Sequence, residues 1–148
     1  MRPNVGRAIL GGFVGALAIT FMMYAVSPIM MGKPMDVAAM LGAFLHAGRA
    51  MGMVVHFING TIIFPLILAF ILWNVLPGGP TSKGNVWGLM LWFLSRPPPI
   101  IGMTMAVFSD NTGGMLVLGA SLIGHIVYGA LLGVITGEPR EERPARAA

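Results

Sequence analysis

The chain of 148 residues contains no cysteine and very little charge. Without cysteine there are no disulfides, no thiolate metal sites and no thiol nucleophile. Only 9% of the residues are charged and 56% are hydrophobic, whereas about 25% of residues are charged in soluble proteins. The nine lysines and arginines are scattered singly, so the net basic charge does not indicate a nucleic-acid partner. The composition indicates an integral membrane protein.

Long apolar runs predict four membrane-spanning helices. A bilayer core of about 30 Å requires about 20 helical residues. The predicted spans cover residues 8–31, 50–75, 84–108 and 115–137, and the sequence Arg-Pro-Pro-Pro at 96–99 breaks the third. Residues 1–137 then form one transmembrane domain, and the charged residues 138–148 form a disordered tail. The predicted fold is an all-α, four-helix membrane bundle.

A short amphipathic helix is predicted between the first two spans, over residues 36–48. Asp36 is a suitable N-cap, and the apolar residues after it recur at helical spacing. Such a helix either lies along the outer membrane interface or forms a long extension of the second span.

The positions of lysine and arginine predict the orientation of the chain. Only Lys33 and Arg49 fall between the first two spans, and the other basic residues flanking the spans lie on the side of the termini. Because cytoplasmic segments carry the excess of basic residues, both termini are predicted to be cytoplasmic. The basic residues on that side are Arg2, Arg7, Lys83, Arg140, Arg143 and Arg146.

Besides Gly11 and Gly15 in span one, glycines recur in stripes of four-residue spacing in three predicted spans, and two of these stripes include a histidine. Residues four apart share one helix face, and small residues let membrane helices approach closely. The similarity of spans two and four suggests two repeated helical hairpins. The stripes consist of Gly52, His56 and Gly60 in span two, Gly84 and Gly88 in span three, and His125, Gly129 and Gly133 in span four.

Several motifs follow one another in a recognisable order. The segment from Asp36 (Asp-Val-Ala-Ala-Met-Leu) precedes His56-Phe-x-x-Gly-Thr; a Leu-Pro-Gly and a Lys-Gly precede span three; and His125-x-x-Tyr128-Gly-x-x-x-Gly lies in span four. In this order and spacing the chain resembles an uncharacterised family of small bacterial four-helix membrane proteins. The resemblance covers nearly the whole chain and implies four helices in a bacterial inner membrane. It implies no functional residues, and the Arg-Pro-Pro-Pro segment departs from its pattern.

Arg96 is the charged residue deepest within a predicted span. A charge near the bilayer centre costs about 2.5–3.5 kcal/mol on insertion scales, and no Asp or Glu lies within a predicted span. Arg96 either donates to carbonyls that the prolines leave without a donor or extends to water or lipid phosphate. Alternatively, its partner belongs to another subunit or to a bound anionic group.

The two histidines within the spans have two interpretations. His56 and His125, with Tyr128 nearby, can form hydrogen bonds between helices. They can also be axial ligands of a haem b between spans two and four.

A copper site is a further alternative. Thioethers are soft ligands suited to Cu(I), and the candidate ligands are His46, His56, Met51 and Met53. Methionine is also an adaptable apolar filler, so its abundance alone does not establish a metal site.

The sequence contains no convergent set of acids, bases and nucleophiles, so a stand-alone enzyme is not expected. The leading hypothesis is a non-catalytic accessory or assembly subunit of a larger membrane complex, such as a respiratory one, without a cofactor. Its partners would be membrane lipid and either other integral membrane subunits or a second copy. The alternatives are a haem-b electron carrier using His56 and His125, and a small transporter or channel suggested by the broken third span.

Overall fold

The computed structural model describes residues 3–95 and 112–137, and these residues form five helices and no strand. The all-α prediction is therefore confirmed for this part of the chain. The helices are α1 (Val5–Met31), α2 (Val37–Phe44), α3 (Arg49–Leu72), α4 (Pro80–Leu94) and α5 (Thr112–Thr136). Short π-helical turns interrupt α1 at Met22–Val26 and α3 at Asn59–Ile63 and Leu68–Leu72.

Among the five described helices, three are long and apolar enough to cross a membrane: α1, α3 and the Leu116–Thr136 part of α5. They correspond to the predicted spans one, two and four. Helix α4 has 15 residues, which gives a length of about 22 Å at 1.5 Å per residue. This is less than a full span, and the remainder of predicted span three, with Arg96 and the break at 96–99, lies outside the described residues.

Of the helix boundaries that differ from the sequence-based prediction, the two largest shifts have a local cause. Helix α4 begins at Pro80, four residues before the predicted start, because proline is favoured in the first turn, where its missing N–H is not needed. Helix α2 ends at Phe44 rather than near residue 48, and His46 then adopts a φ of 51° that turns the chain towards α3.

Helix α5 packs against α4 through glycines from both helices. A side chain at Gly84 would overlap the carbonyl of Gly129, and one at Gly133 would overlap the carbonyl of Pro80. Nearer the start of α5, a side chain at Gly88 would overlap the carbonyl of His125. The two helices are therefore antiparallel, and their backbones are in direct contact.

Helix α1 lies between α5 and α3. A Cβ on Gly11 would lie 3.1 Å from the carbonyl oxygen of Leu132 in α5, whereas one on Gly12 would overlap Pro65 in α3. Helix α3 in turn meets α4 where the indole Nε1 of Trp87 donates to the carbonyl of Phe64 at 3.1 Å. The buried core around this point consists of Leu68, Trp73, Trp87, Leu91, Tyr128 and Leu132.

Two cations cap the C-terminal ends of helices on the side of the termini. Arg7 at the start of α1 donates from Nε to the carbonyl of Ile135 near the end of α5, at 2.6 Å. Lys83 at the start of α4 donates to the carbonyl of Trp73, just beyond α3. Cations are favourable at this end because the last carbonyls lack partners and carry the negative end of the helix dipole.

The glycine contacts predict that two glycine-to-alanine substitutions differ in their effect on the stability of the protein. Gly84→Ala places a methyl group against the backbone of α5 and should destabilise the protein by about 1–3 kcal/mol, the usual cost of overpacking. Gly119→Ala is the matched control, since a Cβ there meets no atom within 4 Å, and it should leave stability unchanged or raise it. Thermal unfolding of both variants in the same detergent measures the difference. Equal midpoints would contradict the packing described.

Candidate functional site

A hydrogen bond between His56 and Thr20 joins α3 to α1. The hydroxyl of Thr20 donates its single hydrogen to the carbonyl of Ala16 at 2.6 Å. Its oxygen must therefore accept from Nε2 of His56, which lies 3.0 Å away. This assignment places the hydrogen of the neutral imidazole on Nε2 of His56.

His125 in α5 has the opposite tautomer. Its Nδ1 lies 2.8 Å from the carbonyl oxygen of Ser121, one turn earlier in the helix. Because a carbonyl only accepts, Nδ1 carries the hydrogen. His56 of α3 is thus bonded to α1, whereas His125 of α5 is bonded within its own helix.

Tyr128 joins α5 to α3 at a carbonyl that the helix leaves without a backbone donor. In the π-helical turn, the N–H of Phe64 donates to the carbonyl of Asn59, five residues earlier. With the same five-residue spacing, the donor to the carbonyl of Gly60 would be the N–H of residue 65. That residue is proline and has no N–H. The hydroxyl of Tyr128 instead donates to the carbonyl of Gly60 at 2.7 Å.

Small residues make room for this contact. A Cβ on Gly15 would lie 2.7 Å from Cδ2 of the Tyr128 ring, and one on Gly60 would lie 3.0 Å from the Cβ of Ala16. The ring of Tyr128 is therefore held between α1 and α3, with 4% of its surface exposed.

A second polar cluster ties α2 to the neighbouring ends of α1 and α3. Asp36 accepts from the hydroxyl of Tyr24 at 2.6 Å, from the N–H of Ala39 at 2.9 Å and from Nε of Arg49 at 2.7 Å. The guanidinium carbon of Arg49 also lies 5.5 Å from the centre of the Tyr24 ring. These hydrogen bonds, with that of Tyr24 the most important, lower the pKa of Asp36 to about 2.

The glycines predicted at helix interfaces lie at backbone contacts. A side chain on Gly52 would overlap the carbonyl of Ala38 in α2, and Gly60 faces Ala16 in α1. The glycines of α4 face those of α5. These glycines are Gly84, Gly88, Gly129 and Gly133.

The candidate copper ligands lie in different surroundings. His46 and Met51 are exposed and Met53 is half-buried, whereas the imidazole of His56 is bonded to Thr20. Within the described parts of the chain, no group of three or more His, Cys, Asp or Glu residues could hold a metal ion.

A haem between α3 and α5 would have to replace contacts that are already made. Nε2 of His56 is bonded to Thr20, and the neighbouring Gly60 is packed against Ala16 and bonded to Tyr128. The geometry therefore favours hydrogen bonding between helices for His56 and Tyr128, whereas His125 bonds within α5.

Sequence reasoning did not identify Thr20 and Tyr24 as site residues. They lie four residues apart in α1, within an otherwise apolar run, and that spacing places them on one helix face. This spacing can be read from the sequence, but it does not show which residues of other helices Thr20 and Tyr24 contact. The proline at position 65 was also a signal, since it predicts an unpaired carbonyl about one turn earlier.

A comparison with known proteins identifies a family but no activity. The model of a family of unknown function, DUF6789, matches residues 2–146. No curated protein and no solved structure matches the chain at a significant level.

The Tyr128 contact predicts a coupling between two substitutions. Tyr128→Phe removes the donor to the Gly60 carbonyl and should lower the free energy of unfolding by about 0.6–2 kcal/mol, as for other hydrogen bonds between membrane helices. In a Pro65→Ala background the new N–H of residue 65 can donate to that carbonyl, so the same substitution should cost less. Unfolding of the four variants in detergent gives the coupling. If Tyr128→Phe lowered the free energy of unfolding equally with Pro65 and with Ala at position 65, the interpretation that the Gly60 carbonyl lacks a backbone donor would be contradicted.

Proposed function

Since the chain belongs to this family of unknown function, its role has to follow from its own residues, and we propose that it is a non-catalytic integral membrane protein. It has four spans, lies in a bacterial inner membrane with both termini in the cytoplasm, and serves as an accessory or assembly subunit of a larger membrane complex.

One observation carries this proposal: the histidines and tyrosines within the described helices bond to a neighbouring side chain or to backbone carbonyls. His56 bonds to Thr20, His125 to the carbonyl of Ser121, and Tyr128 to the carbonyl of Gly60. A catalytic site requires groups that converge on a space where a substrate can bind. Here His56 joins α3 to α1 and Tyr128 joins α5 to α3, which supports a structural role.

The proposed four spans and orientation have separate support. Helix α4 is followed in the sequence by further apolar residues up to Phe108, so the apolar stretch that starts in α4 has enough residues for a span. Arg7 and Lys83 lie at the same side of the helices, where they cap α5 and α3. Basic residues on one side favour the cytoplasm for that side.

A partner within the membrane would contact large apolar side chains. The glycines face other helices of the same chain, whereas α1 has Phe13, Leu17 and Phe21 exposed on its outer face. In the sequence, Arg96 has no acidic residue within the predicted spans to pair with. A carboxylate from another subunit would supply that charge, and this supports a protein partner in addition to lipid.

The proposal predicts that other integral membrane proteins co-purify with this chain. A tagged copy should be extracted from its native membrane in a mild detergent, and the proteins that elute with it should be identified and quantified by mass spectrometry. Stoichiometric membrane subunits are expected. Arg96→Gln should reduce their yield, while Lys33→Gln, a change in an exposed loop lysine, should not.

A homo-oligomer without other subunits would contradict the accessory role. The haem-b and transport alternatives stay predictions. The absorption spectrum of the same purified sample tests the first alternative, and flux into liposomes tests the second.

A further inference from the structure

A cavity lies between the end of α3 and the start of α4, on the side of the termini. Its volume is about 170 Å³, and its lining residues are Trp73, Gly78, Gly79, Pro80 and Lys83. A water molecule takes up about 30 Å³ of the liquid, so the cavity has room for several waters or for a small polar headgroup.

Contacts within the chain hold the walls of this cavity. Gly78 has a φ of 86°, which favours glycine, and a Cβ there would lie 2.7 Å from Oγ of Ser82 in α4. Pro80 packs on α5, since a Cβ on Gly137 would lie 2.6 Å from Cγ of the Pro80 ring. Trp73 belongs to the buried core. The cavity is therefore part of the packed structure.

Lys83 is the charged residue of the cavity wall. Its ammonium donates to the carbonyl of Trp73 and lies 5.6 Å from the centre of the Trp73 ring. These contacts fix the position of the ammonium. A lysine has three N–H donors, and the carbonyl uses one of them. The other two can donate to a ligand that has acceptor oxygens.

The described part of the chain places cations and no carboxylate on this side of the helices. Within residues 3–95 and 112–137, Asp36 is the one acidic residue, and it lies at the opposite end as the N-cap of α2. Arg7 is a second cation on the side of Lys83. The positive surroundings favour a ligand of net negative charge over a zwitterion, whose own cation would approach Lys83.

Large apolar side chains are exposed on α3 and on the turn after it, close to the cavity in the chain. Phe70, Ile71 and Val75 have 68%, 63% and 74% of their surface exposed, and they lie within three residues of Trp73. A free anion would leave these side chains uncovered, whereas the acyl chains of a lipid would cover them. The ligand that suits both features has an anionic phosphate and apolar chains.

We propose that this cavity binds the phosphate of an anionic phospholipid, with Lys83 donating to the phosphate oxygens and the acyl chains lying along the exposed side chains of α3. Basic pockets between membrane helices bind such headgroups in other proteins. The inference rests on the membrane insertion proposed above and does not depend on a partner subunit. A lipid held here also bridges α3 and α4 at the turn that joins them.

The lipid dependence of thermal unfolding tests this site. The full-length protein in a neutral detergent is titrated with phosphatidylglycerol or with phosphatidylcholine of the same acyl chains, and the rise of the unfolding midpoint gives the affinity for each lipid. We expect at least about fivefold higher affinity for phosphatidylglycerol, the effect of one basic residue near a membrane surface. Inorganic phosphate, matched in ionic strength with chloride, should leave the midpoint unchanged because it has no acyl chains.

Substitutions of two basic residues locate the effect. Lys83→Gln removes the cation of the cavity and should lower the affinity for phosphatidylglycerol about fivefold, whereas Lys83→Arg should keep most of it. Arg7→Gln is the matched control, since Arg7 also caps a helix on this side but does not line the cavity, and it should leave the preference between the two lipids unchanged. The midpoint of each variant without lipid measures the loss of the cap alone.

Three results would overturn the proposal. One is equal affinity of the unsubstituted protein for the two lipids. If a preference then appears when Glu138, Glu141 and Glu142 are changed to glutamine, the cavity binds the chain's own tail instead. The second is an equal loss of preference in Arg7→Gln and Lys83→Gln, which would mean that the lipid responds only to the overall charge. The third is a midpoint that inorganic phosphate raises as much as the lipid does.

Membrane insertion is measured separately, as retention of the protein in membranes washed at alkaline pH. A protein that is retained but shows no lipid preference would contradict the lipid site alone. A protein that is released would contradict the proposed membrane location.

Discussion

Polar groups in the apolar core of a bilayer must find hydrogen-bond partners within the protein, and this constraint accounts for the residues that join the helices. Pro65 has no backbone N–H. In the π-helical turn before it, the carbonyl of Gly60 is therefore left without a backbone donor. Tyr128 of α5 supplies the donor. The hydroxyl of Thr20 likewise satisfies both a carbonyl of its own helix and the imidazole of His56.

These hydrogen bonds require helices that approach closely, and glycine makes that approach possible. Gly15 accommodates the Tyr128 ring, and Gly84 and Gly129 bring the backbones of α4 and α5 together. These three glycines therefore contact other helices of the same chain. What remains on the outer faces of the helices is large and apolar, which suits lipid or the apolar surface of another membrane protein.

The sequence predicts the long helices well, because an uncharged run of this length has few alternatives in a protein. It also predicts that His56 and Gly60 share a face, since that follows from helical spacing alone. It does not predict which helix meets that face: Gly52 contacts the short helix α2, and this depends on how the chain turns after Phe44. The ion pair between Asp36 and Arg49 was missed for the same reason, because the two residues are thirteen positions apart and meet only when α2 folds back on α3.

The central claim is that the imidazoles inside the helices are engaged in hydrogen bonds within the protein, His56 with Thr20 and His125 with the carbonyl of Ser121. Nitrogen-15 NMR of the histidine side chains at neutral pH, in the folded protein, tests it most directly, with His56→Gln and His125→Gln assigning the signals. The account predicts two neutral imidazoles with opposite tautomers, hydrogen on Nε2 in His56 and on Nδ1 in His125. Two imidazoles that exchange freely between tautomers, or that are shifted by a bound metal, would contradict it.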